Sequence, residues 1–426
     1  MSASHNPVVP PERGLSREQR LAGIAAWMGW LFDGLDGYLY VQIAVPFVME
    51  LQHVTRPNNS VMHHAAYIQA AFLTGWAIGG TVFGRLGDRL GRSRTLSLTI
   101  LMYALFTGLS AFSVSWQMLL ALRFLAALGI GGEWAAGASL VSETWPVPWR
   151  PWAGAALQSA FQCGLLLAGV VGIVFAGDVR WVFLCGALPA LLVFWLRRNI
   201  SETSEWQQAV AKQPKPNSLD LFRMPVLPTT IITIVICSLA LTTTWAYIFW
   251  FPQQLMHLPD IKSWPKVEKT RYVVGAAMFV NVVAIGGNFV AGALARLAGY
   301  RNALVIMFAG SGIFLYLTYC VPRNHIDILY WAPWAHLFVQ GVFGLFPLLI
   351  PPLFPTLLRT TGAGLCYNIG RLAAAAGTVF FGVIVTHKTH LRHSLLLVAA
   401  LYIPATLIAF FMPIPPDTQG VTARQN

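Results

Sequence analysis

Charged side chains are scarce in this sequence. Asp, Glu, Lys and Arg make up only 10% of its 426 residues, whereas soluble domains carry about 25%. The shortage excludes an ordinary soluble core, and hydrophobic residues fill 56% of the chain instead. Acidic residues are fewest, 16 against 28 Lys and Arg, which leaves a formal net charge of +12. That excess does not indicate nucleic acid, because the basic residues cluster in short loops on one side of the expected membrane topology. Cysteine excludes more than it suggests. Cys163, Cys185, Cys237, Cys320 and Cys366 lie in or beside apolar runs, without metal-ligand spacing, and read as packing residues. No nucleophile–base arrangement, metal cluster or phosphate loop is present, and the Gly-rich runs do not follow strands. Neither an enzyme nor a bound cofactor or metal is expected. Residues 1–20 are polar, so no cleavable leader is expected.

Long apolar runs are what the chain has in abundance. Twelve fall at 22–49, 63–84, 95–113, 117–141, 151–176, 180–197, 229–254, 272–295, 302–321, 328–352, 362–386 and 393–412. Each is near the ~20 residues that a helix needs to cross a bilayer. A β-barrel would show ~10-residue alternation instead. An even number of spans puts both termini on one side. With that side cytoplasmic, 17 Lys and Arg lie inside, 9 lie outside, and Arg123 and Arg371 lie within spans. The expected organisation is a cytoplasmic tail (1–20), a six-helix bundle (21–197), a linker (198–228), a second six-helix bundle (229–412) and a cytoplasmic tail (413–426). In the linker, Glu202 and Glu205 early with Lys212 late suit a short surface helix, read as a spacer between bundles.

The stretch Gly84-Arg-Leu-Gly-Asp-Arg-Leu-Gly-Arg-Ser-Arg94 lies between spans two and three and marks a basic cytoplasmic turn. It has an echo at Gly292-Ala-Leu-Ala-Arg-Leu-Ala-Gly-Tyr-Arg301, where Gly292, Leu294 and Gly299 repeat Gly84, Leu86 and Gly91 at an offset of 208. A second pair repeats at 209: Pro146 and Arg150 against Pro355 and Arg359. Two motif pairs at nearly one offset indicate a duplicated membrane unit.

With these residues, the chain resembles the major facilitator superfamily of transporters. Gly84–Arg94 is similar to the signature between the superfamily's second and third helices, and Glu143-x6-Arg150 to the charge pair after its fourth. Arg123-Phe-Leu-Ala-Ala-Leu-Gly-Ile-Gly-Gly-Glu-Trp134 and the run from Phe354 to Arg371 resemble the sialate:proton symporters, a group that includes monocarboxylate carriers. Asp33-Gly-Leu-Asp36 is similar to the paired aspartates of aromatic acid:proton symporters. Three positions depart: Ala127 replaces a usual glycine, Pro352 a frequent glutamate and Arg296 the second loop's aspartate. The resemblance implies an all-α membrane protein of twelve transmembrane helices in two pseudo-symmetric six-helix bundles, alternating access, and a location in the cytoplasmic (inner) membrane. It also implies that Asp88 meets the start of span eleven. There Gly84, Asp88, Arg89, Arg92, Glu143, Arg150 and Arg359 would form a conformational latch.

Charges inside spans are costly and usually functional. Asp33 and Asp36 lie three residues apart and so share one helix face. Two carboxylates that close cannot easily both ionise in low dielectric, and this suits proton coupling; a structural pair is the alternative. Glu133 either carries a proton or pairs with an arginine. Arg123, ten residues and about 15 Å along the same helix, is too far to be that partner and is a candidate substrate contact. Arg371, near mid-membrane in span eleven, suits a two-pronged grip on a carboxylate. Tyr367 and Asn368 share its face, giving an anion-binding surface or, alternatively, one side of a salt bridge to Asp33, Asp36 or Glu133. Gln162, Gln340 and Asn281 complete the expected lining. Gln158, Thr243, Thr244, Asn288 and His336 are weaker candidates, each more often an interhelical contact. The leading expectation is a monomeric symporter of a small organic anion and protons. Its alternatives are a uniporter or exporter of a neutral or apolar compound and a non-transporting sensor or receptor.

Overall fold

The computed structural model describes residues 14–56, 58–175, 178–212, 214, 216–380 and 391–416. These fold into α1 (Arg17–Leu51), α2 (Asn59–Leu90), α3 (Arg92–Ser110), α4 (Trp116–Thr144), α5 (Arg150–Val174), α6 (Val179–Cys185), α7 (Ala190–Asn199) and α8 (Ser204–Lys212). There follow α9 (Leu227–Met256), α10 (Lys266–Ala298), α11 (Tyr300–Tyr319), α12 (His325–Leu349), α13 (Arg359–Phe380) and α14 (Leu391–Ala409). No strand occurs among the described residues.

Several helices start where the sequence supplies acceptors for unpaired N–H groups. Ser16 and Gln19 form a reciprocal capping box on α1. Asn58, Ser115 and Asn324 cap α2, α4 and α12. Between α2 and α3 the chain turns at Gly91 with φ +104°, and between α10 and α11 at Gly299 with φ +81°. Side chains other than glycine are strained in that region, so the internal repeat reappears as the same backbone device in each half.

Twelve membrane-spanning units result, six before α8 and six after it. The sixth is not the single continuous helix that 180–197 suggests. It breaks into α6 and α7 across a turn at Gly186-Ala-Leu-Pro189. Proline lacks the N–H donor and disfavours helix at the residue before it. Of the eleventh expected span, residues 381–386 lie outside the described residues. Seven helices qualify as membrane spans on length and apolarity alone. Long helices below that threshold include α1, α2 and α13, which carry Asp33, Asp36, Asp88 and Arg371.

The halves meet through α2 against α13 and through α5 against α10 and α12. Near the Gly84–Arg94 turn these contacts are backbone-close. A Cβ on Gly84 would stand 2.9 Å from the Thr360 carbonyl, and one on Gly154 2.5 Å from the Gly344 carbonyl. Small residues permit this approach, and the end of the bundle carrying that turn is sealed.

Candidate functional site

The two aspartates of α1 point to different partners. Asp36 is fully engaged: Arg123 Nη1 donates to its Oδ1 at 3.0 Å and Nη2 to its Oδ2 at 3.1 Å. The Thr107 hydroxyl donates to the same Oδ1 at 2.7 Å. The Arg123 guanidinium also lies over the rings of Phe72, Tyr40 and Phe183. Arg123, on α4, is therefore sealed inside the first half with 0% exposure, remote from the anion-binding face expected of it. Breaking such a pair leaves an uncompensated charge in a dry interior. Asp36→Asn should therefore destabilise the protein by about 3–5 kcal/mol. A large drop in thermal unfolding temperature in detergent is the expected reading; unchanged melting would remove the structural assignment.

Asp33 faces Glu133 of α4, and Asp33 also lies within electrostatic reach of Arg371. Both are buried, and among the described residues none of their four oxygens has a hydrogen-bond partner of normal geometry. Room for Glu133 comes from Gly29, one turn before Asp33. A Cβ there would stand 1.8 Å from Glu133 Oε1. The pair on the axis is thus Asp33–Glu133, from two helices, and not Asp33–Asp36 from one.

Arg371 of α13 completes this cluster from the second half. It is half-buried, donates to Asn368 Oδ1 at 3.1 Å and lies over Trp76 at 4.0 Å and Tyr367 at 4.8 Å. Tyr367 stacks on Trp134 across the boundary between halves, centroids 4.2 Å apart. Trp76 and Trp134 escaped the sequence reading, because indoles in apolar runs look like packing residues. Their adjacency to Glu133 and to the glycines of α2 was the available signal.

The remaining polar candidates divide. Gln158 and Gln162 of α5 are buried with unpartnered Oε1 atoms, as is Asn288 of α10 with its whole amide. Gln340 on α12 sits one turn before Gly344, level with Gln158, which lies one turn after Gly154. Together they form a second polar flank between α5, α10 and α12. Asn281 spends its Nδ2 on the Ala277 carbonyl of its own helix, and Thr243 bonds within α9. Thr244 is buried without a partner for its hydroxyl. His336 Nδ1 is 2.9 Å from the Tyr247 hydroxyl inside the second half.

At the sealed end, Asp88 caps α13 from another helix. Its carboxylate accepts from Thr360 N at 3.2 Å, Thr361 N at 2.8 Å, the Thr361 hydroxyl at 2.6 Å and Arg92 Nη1 at 3.0 Å. These are orphan N–H groups at a positive helix end. Arg92 forks onto Glu143 of α4 at 2.8 to 3.2 Å and reaches the Thr356 carbonyl of the second half. Arg359 bridges Glu143 at 3.2 Å and Glu205 at 2.8 Å. Arg150 donates to the Trp145 carbonyl, and Arg89 is exposed at the rim. The segment between the halves is more than a spacer. Glu202 accepts the Ser93 and Arg94 N–H groups at the start of α3, Thr203 donates to Glu143, and Trp206 donates to the Asp88 carbonyl.

Comparison with known proteins agrees with this architecture. A sialic acid transporter, NanX of Escherichia coli K12, is 28% identical over 368 residues, covering 85% of this chain and 86% of the relative. A probable 4-methylmuconolactone transporter of Cupriavidus pinatubonensis is 28% identical over 384 residues, covering 87% and 85%. The structure of the proton:xylose symporter XylE bound to 6-bromo-6-deoxy-D-glucose superposes with a TM-score of 0.75 at 16% identity, covering 95% of this chain and 97% of that one. The Major Facilitator Superfamily model matches residues 26–362, and the chain belongs to that superfamily of membrane transporters.

Proposed function

We propose that this transporter moves a small organic anion together with protons by alternating access, from a site at Asp33, Glu133 and Arg371. The observation that carries the reading is the buried, donor-free carboxyl pair beside a half-buried arginine on the axis between halves. Two such carboxyls cannot both be charged without a large penalty, so the pair holds a proton when Arg371 is engaged elsewhere. An arriving carboxylate occupies the Arg371 fork, weakens its hold on Asp33 and favours protonation there. Cargo and proton then load together, which is the condition for symport. A neutral cargo would have no use for Arg371. Relatives named for sialic acid and 4-methylmuconolactone support a small metabolite as cargo.

In this reading Tyr367 and Asn368 set the Arg371 rotamer, and Gln162 and Gln340 meet the far end of the cargo with Gln158 and Asn288. Asp36 and Arg123 hold α1 to α4. The sealed end is cytoplasmic, with both termini on that side in the inner membrane. Gly84, Asp88, Arg92, Glu143 and Arg359 form the latch, joined by the segment between halves. Asp88→Asn removes charge-assisted bonds worth about 1.5–3 kcal/mol each. In a Ser139→Cys background it should raise labelling by an impermeant thiol reagent from the latch side about tenfold, because Ser139 is buried against Thr360. Unchanged labelling of a folded variant would refute the latch.

The functional test is uptake into proteoliposomes under an imposed inward proton gradient, screened over organic acids and their amides. Accumulation of an acid that collapses when the gradient is dissipated is the expected result. Uptake of amides at the same rate, indifferent to pH, would favour the neutral-cargo alternative.

A further inference from the structure

A groove opens sideways from the first half near the latch, and neither the proton pair nor the latch uses it. It has a volume of about 310 Å³ and lies between the first turns of α1, the end of α4 and the start of α5. Arg20 is the one charged residue lining it among the described residues, and the rest of the wall is apolar. Trp145 makes its floor. The indole Nε1 donates to the Gln19 carbonyl at 2.7 Å, and the ring packs on Gly23, where a Cβ would stand 2.6 Å from Cζ2. Glycine at 23 thus lets the ring lie directly on the α1 backbone.

The rim faces lipid. Ile24 is 47% exposed, and Trp27 and, across the groove, Ala156 of α5 are half-buried. Residues 17, 20, 24 and 27 recur at helical spacing and so share one face of α1. Arg17 and Arg20 are exposed where that face reaches the latch end, and neither is held in an ion pair among the described residues. Inside a bilayer an unfilled groove leaves its walls without contacts on one side. A polar ligand or an extended peptide would set unmet polar groups against the apolar wall, whereas an acyl chain brings none. The charges then select the headgroup. Guanidinium groups at a helix end reach the headgroup level, where they attract anionic lipid and grip phosphate. A zwitterionic lipid carries its own cation, which offsets that attraction.

We propose that this groove binds one anionic phospholipid from the leaflet on the latch side, an acyl chain lying along Trp27, Trp145 and Leu157 and the phosphate held by Arg20 with Arg17. The chain braces Trp145, whose carbonyl accepts from Arg150 Nε at 3.2 Å and which stands two residues after Glu143 of the latch. The site is independent of the cargo. Its test is photolabelling of the full chain in phosphatidylcholine vesicles by phosphatidylglycerol with a diazirine near the end of one acyl chain, the labelled residues being mapped by mass spectrometry. Labels should concentrate on Trp27, Ala156 and Leu157. Unlabelled phosphatidylglycerol should displace them at a mole fraction about fivefold or more below that needed of phosphatidylethanolamine. Replacing both arginines, Arg17→Gln with Arg20→Gln, should erase that preference while labelling continues. Ala156→Phe fills the groove from its rim and should remove labelling there but not at Leu167 and Val170, which are exposed further along α5. If Ala156→Phe does not fold, Ile24→Trp on the opposite rim gives the same reading. Labels spread evenly over the lipid-facing residues, or unchanged in the rim variant, would overturn the site. Equal displacement by the two lipids, or a preference kept without the arginines, would overturn the anionic headgroup assigned to it.

Discussion

Replacing Asp33 by asparagine should abolish gradient-driven accumulation, by about 100-fold or more, while substrate exchange across the membrane persists. Asparagine keeps the shape of the side chain but cannot bind and release a proton. Asp33 is the carboxyl that senses both Glu133 and Arg371, which is why the proposed mechanism gives it the coupling proton. General acid–base groups contribute about 10²–10⁴-fold where they act, which sets the expected scale. Glu133→Gln should give a related but milder defect, because Asp33 can still titrate. Gradient-driven accumulation by Asp33→Asn at the wild-type level would exclude the pair as the coupling site. The contrast with Asp36→Asn is built into the geometry: one change removes coupling from a folded protein, the other removes stability.

Arg371→Lys should weaken binding of an anionic substrate by about 10- to 100-fold although the charge remains. Lysine is a point charge on a flexible stem, without the planar fork and without the flat face that lies on Trp76 and Tyr367. The estimate follows from losing one of two charge-assisted bonds and the cation–π contact, together about 1.5–3 kcal/mol. Arg371→Gln should be worse, since it strips the cluster of its cation and leaves Asp33 and Glu133 facing each other uncompensated. Matched acid and amide ligands measure this: the acid should lose affinity and the amide should not. If both variants bind the acid as the parent does, Arg371 is only a tie between α13 and the first half.

The large features of the fold were legible because a bilayer imposes a length and a polarity on every span. The repeat at 208–209 residues appeared in sequence as glycines and in space as Gly91 and Gly299, both at positive φ. Pairing inside the membrane was harder to read. A three-residue spacing puts Asp33 and Asp36 on one face, yet α4 presents a different residue at each level of that face. Arg123 of α4, with Thr107 of α3, meets Asp36, while Glu133, ten residues further along α4, meets Asp33. Periodicity tells which residues look the same way, not which neighbour stands there. Arg123 misled for the same reason, its partner lying 87 residues away in α1. The segment after α7 read as a spacer, because a single chain gives no sign that Glu202, Thr203, Glu205 and Trp206 reach contacts 60 or more residues distant. Gly29 carried no signal at all until the Glu133 carboxyl was seen against it.

The central claim is that proton and cargo cross together through the Asp33–Glu133–Arg371 cluster. Proteoliposomes loaded with a pH-sensitive dye test it most directly, with an organic acid added outside in the absence of any starting gradient and with membrane potential clamped. The account predicts that the lumen acidifies as the acid enters the parent protein, and that Asp33→Asn exchanges the acid without acidification. Entry of the acid through the parent protein with no proton movement, or the same proton signal from Asp33→Asn, would contradict it.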